Sequence, residues 1–119
     1  MEEKEELLKE ASKKIWEAAE LPYMEEKSAG ILMGILESEG FSVESGVAGM
    51  PTAFVARYGE GKPVAGFMGE YDALDALSQK PGLPQREQLI KDGPGHGCGH
   101  NLLGTGSLGA AIASSQGAS

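Results

Sequence analysis

The residue types best suited to chemistry crowd into one short stretch, Gly93-Pro94-Gly95-His96-Gly97-Cys98-Gly99-His100-Asn101. It contains the single cysteine and both histidines of the 119-residue chain. A thiolate and an imidazole two residues apart fall on one side of an extended backbone, and together they suit a divalent transition metal. The intervening glycines let the chain close around a small ion. Cys98 and His100 are thus the candidate metal ligands, with His96 as a third candidate or a group that supports them. The same pair also fits a buried free cysteine beside a surface histidine. Two ligands do not complete a metal site. The next acidic candidates are Glu70 and Asp72, which directly follow the apolar run Val64–Gly69. Functional groups of open α/β sheets gather beyond strand ends, and a carboxylate there can orient a ligating histidine. A solvated loop is the plainer reading of the acidic pair.

These groups need elements to hold them. Leu7, Leu8, Ala11, Ile15, Ala18 and Ala19 recur at helical spacing and predict an amphipathic helix over residues 2–20. Glu5–Lys9 and Glu10–Lys14 are i,i+4 pairs in the favourable orientation. Leu21-Pro22 breaks that helix. A second is expected over Met24–Ser38, with Ile31, Leu32, Ile35 and Leu36 inward and Gly40 as its stop. The period then shortens to two. Strands are expected at Phe41–Glu44 and Ala53–Tyr58, separated by a turn at Ala48–Pro51 and followed by another at Gly59–Pro63. Val64–Gly69 carries no polar side chain and predicts a third strand, buried on both faces in the sheet interior. Residues 70–100 form a long loop, and loops of that length are usually functional or mobile. Asn101 is a fair N-cap for a last helix over 102–115, rich enough in glycine to suggest close packing on a sheet. Within it, Gly104-Thr105-Gly106-Ser107-Leu108-Gly109 matches a dinucleotide-binding pattern without its context. No strand leads in, and no ribose-binding acid follows.

The whole is read as one α/β domain over residues 1–119, with N-terminal helices, a small mixed sheet leading to a buried central strand, and a C-terminal helix. The net charge of −8 argues against nucleic acid and anionic membrane surfaces as partners. No stretch is apolar enough to span a bilayer, the acidic N-terminus does not resemble a signal peptide, and one cysteine makes no internal disulfide. A cytoplasmic protein is expected.

Four blocks carry a family resemblance: Val47-Ala48-Gly49-Met50-Pro51-Thr52-Ala53-Phe54, Gly69-Glu70-Tyr71-Asp72-Ala73-Leu74, Leu77-Ser78-Gln79, and Gly95-His96-Gly97-Cys98-Gly99-His100-Asn101-Leu102-Leu103-Gly104. In that order and spacing the chain resembles the metal-dependent amidohydrolases of the aminoacylase and carboxypeptidase group, peptidase family M-twenty. It is most similar to the branch of aminobenzoyl-glutamate utilisation proteins and their dipeptidase relatives. The resemblance implies a three-layer metallopeptidase catalytic domain that cleaves the amide bond of N-acyl amino acids or small peptides. It implies two divalent ions, zinc or manganese, with Cys98 and His100 as ligands and Asp72 as the catalytic-site aspartate that supports them. Glu70 falls where other branches carry a metal-binding histidine. Glu70, His96 and Asn101 are the candidates for the surrounding contacts. One departure is Asp75, where proline is common. The other is length: no Glu-Glu pair follows His100 to act as general base. The expectation is therefore an N-terminal portion of such a domain, inactive alone. The alternative is a non-catalytic metal-binding or self-associating module, a homo-oligomer whose copies complete a shared site.

Overall fold

A computed structural model of the chain describes residues 4–60 and 64–117. The expected start of the first helix at residues 2–3, part of the Gly59–Pro63 turn, and the last two residues lie outside that range. The element order is α1 (Glu5–Ala18), α2 (Glu26–Ser38), β1 (Ser42–Ser45), β2 (Phe54–Arg57) and α3 (His100–Gly117).

Helical periodicity places α1 as expected. Ala11 and Ile15 are buried on the predicted stripe, while Lys9–Glu5 and Lys14–Glu10 pair along the solvent face at 2.9 and 3.2 Å. The helix ends at Ala19, whose left-handed backbone directs its N–H to the Ile15 carbonyl. Glu20 then turns back on α2. Its carboxylate accepts the N–H groups of Lys27 and Ser28 at 2.9 and 2.7 Å, satisfying donors that a helix start leaves unpaired. On α2, Ala29, Leu32 and Leu36 face the core, and Gly40, at a φ of 90°, leads the chain away.

β1 and β2 form an antiparallel pair with Ser42 opposite Arg57 and Ser45 opposite Phe54. Val43, Phe54 and Ala56 pack against the helices. The Ala48–Pro51 turn is real; a short 3-10 segment at Val47–Gly49 makes it, with Ala48 at a φ of 55°. The core joins Ile15, Ala29, Leu32, Leu36, Tyr71, Leu108 and Ile112, so α3 is buried against α1 and α2.

The α/β character expected from sequence is borne out by these helices and the strand pair. The third strand is not. Val64–Gly69 pairs with no strand among the described residues, and its side chains are exposed, Val64 by 81% and Met68 by 92%. An apolar run becomes an interior strand only where neighbours supply hydrogen bonds on both edges and layers cover both faces. Here α3 covers one side. Ser107 donates its hydroxyl to the Met68 carbonyl at 2.5 Å, and Gly69 and Gly104 let the two backbones approach. The glycines of α3 thus admit this segment and the side chain of Leu8, not a sheet. No helix among the described residues is long and apolar enough to cross a membrane.

Candidate metal centre

The long loop is not slack. Its two arms meet in a small antiparallel bridge, Leu74 N–H to Gly95 O at 2.8 Å and Gly95 N–H to Leu74 O at 2.9 Å. One step out, Ser78 N–H donates to the Gly93 carbonyl. Gly95 is required here, because a Cβ would overlap the carbonyl of Leu77. Between the arms, Gln79 gathers the excursion by accepting from Glu87 N–H and donating to the Gln85 carbonyl. The bridge sets residues 72–74 beside residues 95–100.

Three contacts anchor this pair of arms to the helices. Ala73 N–H donates to the Glu20 carbonyl at 2.7 Å. The His96 ring meets the Ile15 carbonyl through Nε2 at 3.1 Å, which makes Nε2 the protonated nitrogen. Burial holds the His96 pKa below its usual value, the carbonyl contact opposes this, and nearby His100 and Asp72 add smaller effects of opposite sign. Asn101 donates from Nδ2 to the Ser12 hydroxyl at 3.2 Å. It lies in the first turn of α3 and not at its N-cap, since the helix already begins at His100. Gly99, at a φ of 79°, makes the sharp entry, and its carbonyl accepts the N–H groups of Leu102 and Leu103. His96 and Asn101 therefore tie the loop to α1, while His100 opens α3.

His100 sits between two carboxylates. Its Nδ1 lies 2.7 Å from Asp72 Oδ1, and its Nε2 lies 3.2 Å from Glu70 Oε2. One donor atom from each of Glu70, Asp72 and His100 falls within 4.8 Å of the others. Asp72 and His100 are half-buried, whereas the Glu70 side chain is 68% exposed. Between them, Tyr71 points the other way, into the core, where its hydroxyl donates to the Thr52 carbonyl. Alternation along the chain thus sends residues 70 and 72 to one side and residue 71 to the other. Cys98 is exposed and stands outside this three-residue group. It lines an open groove with Gly66, Phe67, Met68, His100 and Leu103.

The donor set fits a divalent cation. Carboxylate oxygens and an imidazole nitrogen are ligands for zinc and manganese alike, and a thiolate on the same groove adds a softer donor. The Asp72–His100 contact would fix the ring of a ligating histidine and leave its opposite nitrogen open to an ion. Sequence spacing singled out His100, Asp72 and Glu70. It did not reveal Glu20, Ser12 or Gly95 as the groups that set their positions, because each acts through a contact distant in the chain.

The sequence blocks resemble those of the amidohydrolases, and curated relatives bear out that resemblance in a chain of partial length. A subunit of the p-aminobenzoyl-glutamate hydrolase of Escherichia coli K12 is 50% identical over 99 residues, covering 83% of this chain and 21% of that protein. The Xaa-Arg dipeptidase of Mus musculus is 34% identical over 122 aligned residues, covering 94% of this chain and 24% of that protein. The chain thus spans between a fifth and a quarter of the length of these relatives. No family model matches it.

Proposed function

We propose that this chain contributes a metal-binding part of an amidohydrolase or peptidase that cleaves the amide bond of N-acyl amino acids, acyl-glutamates or small peptides. The observation that carries the reading is His100 held at Nδ1 by Asp72, with its other nitrogen turned toward Glu70. The names of both relatives support a substrate with an amide bond next to an amino acid. His100 and Cys98 are the proposed ligands. When bound, zinc or manganese supplies Lewis acidity toward the scissile carbonyl and a more acidic water.

The chain's own residues have separable tasks. Asp72 keeps the proton on Nδ1 and so leaves Nε2 free to ligate. The Leu74–Gly95 bridge and the His96–Ile15 contact hold that pair in register. No carboxylate pair after His100 is present to take a proton from water, so the 119-residue chain is proposed to bind metal without turnover. Assay of this chain with zinc or manganese on N-acyl-glutamates and dipeptides tests this. Turnover above the metal-only control would overturn the inactivity, and failure to bind either metal would overturn the site.

One observation favours the alternative, self-association around the site. Phe67, Met68, Leu102 and Leu103 are exposed on adjoining surface, and Val64 extends the same segment. Exposed contiguous apolar surface marks interaction sites. Solution mass with and without metal checks this, and a monomer in both conditions would exclude it.

A further inference from the structure

We propose that residues 64–69 are an open strand edge, and that a second copy of this chain pairs with it antiparallel, Phe67 opposite Phe67. This gives a definite form to the self-association named above and needs no metal. From residue 64 to residue 73 the chain makes no turn, bend or helix, and no residue has a positive φ, so it runs straight as a strand does. Successive residues of a strand send their N–H and C=O groups to alternate edges. The Met68 carbonyl accepts from Ser107 Oγ, and the Glu70 carbonyl lies against Gly104, so the even-numbered carbonyls are turned to α3. The backbone groups of Ala65, Phe67 and Gly69 belong to the other edge and have no hydrogen-bond partner among the described residues.

That free edge specifies its cover. Apolar surface alone accepts many covers, but a row of free backbone donors and acceptors is matched by another strand. The devices that keep natural edges apart are missing, since residues 64–69 contain no charge and no proline. Charge favours the chain's own copy. Two chains of net charge −8 repel where their acidic faces meet, yet this edge and the groove beside it are lined by no carboxylate, lysine or arginine. A two-fold axis through Phe67 sets Ala65 opposite Gly69 of the second copy, so every hydrogen-bonded pair joins odd-numbered residues, whose groups are free. An axis through Gly66 or Met68 would instead use the edge that α3 occupies. In the Phe67 register the two Glu70 side chains lie at opposite ends of the pair, and like charges do not face each other. Leu102 and Leu103, 66% and 50% exposed, line the same groove and would be covered with it.

Sedimentation velocity in buffer with chelator separates this pairing from association around a shared ion. A dimer that dissociates on dilution is expected there. A monomer in chelator that dimerises only with zinc or manganese would overturn the strand pairing and leave the shared-site reading standing. A monomer under both conditions would overturn both. The register is read by cross-linking in a Cys98→Ala background, which removes the native thiol. Opposite residues of a hydrogen-bonded pair have Cα atoms about 5.5 Å apart, within disulfide reach, so Phe67→Cys should give a disulfide-linked dimer on mild oxidation. Met68→Cys should not, because Met68 faces Gly66 of the second copy and its own counterpart lies on the diagonal, about 7–8 Å away. Cross-linking at both positions, at neither, or at Met68→Cys alone would overturn the register. Phe67→Lys, with folding checked by circular dichroism, should raise the dimer Kd about tenfold or more in chelator. An unchanged Kd in that variant would overturn the edge as the interface.

Discussion

The two sides of α3 differ in what covers them. Toward α1 and α2, Leu108 and Ile112 are buried in a core shared with Ile15, Ala29, Leu32 and Leu36. On the other side, Leu102 and Leu103 are exposed and face a groove edged by Phe67 and Met68. The first side is complete with residues of this chain. The second brings His100, Asp72 and Glu70 together yet leaves apolar surface open to water. The contrast teaches that positioning the site and covering it are separate tasks. Backbone bridges and three polar anchors are enough for the first. The second takes area that residues 64–69 and α3 do not provide for one another.

The contrast can be broken most directly by truncating one side chain from each face. Ile112→Ala, in the covered face, should cost about 2–5 kcal/mol in denaturant unfolding. A loss below about 1 kcal/mol would mean that the core around α3 is not tightly packed. Next, Gly95→Ala should cost about 1–3 kcal/mol, because the added Cβ meets backbone that cannot move aside. The same change should weaken metal binding, as it parts the arm bearing His100 from the arm bearing Asp72. Unaltered stability and affinity would show that the Leu74–Gly95 bridge does not organise the site.

Tyr71 sharpens the comparison from the core side of the same segment. Burial, aided by Glu25, raises its pKa from 10.0 to about 12. The folded state therefore favours the neutral phenol, whose hydroxyl reaches Thr52. That contribution is fully present below pH 10, shrinks as the unfolded chain ionises first, and is gone by about pH 12. Tyr71→Phe should lower stability at neutral pH by about 1 kcal/mol and flatten the decline between pH 10 and 12. An unchanged alkaline slope in the variant would place the effect elsewhere. The smallest change is expected on the open face: Met68→Ser should alter stability by no more than about 0.5 kcal/mol. A larger loss would mean that Met68 is covered in solution, and a concentration-dependent loss would point to a second copy as the cover.

Much of this was legible in the residues. The 3.6-residue spacing of Ala11 and Ile15, and of Leu32 and Leu36, located α1 and α2 because local apolar stripes alone define them. His100 and Asp72 were legible by type and spacing, and the structure brings them within hydrogen-bond distance. The apolar run at residues 64–69 misled. Its composition records suitability for burial, while the burial itself depends on strands and layers supplied from elsewhere. Asn101 misled as a cap because the sharp turn at Gly99 already starts α3 at His100, which puts Asn101 inside the first turn.

Sequence by itself determined the helices, the strand pair, the residue types gathered at the candidate site and the likeness to amidohydrolases, since these depend on residue types and short-range order. Only the tertiary structure decided which groups face each other across the loop: Asp72 on one nitrogen of His100, Glu70 on the other, and Cys98 apart on the groove. Tertiary structure also decided that one face of α3 closes and the other stays open. The physical reason is that facing pairs and covered surfaces are set by contacts between residues tens of positions apart. Spacing along the chain encodes what a residue can do, and packing selects the partner with which it does it.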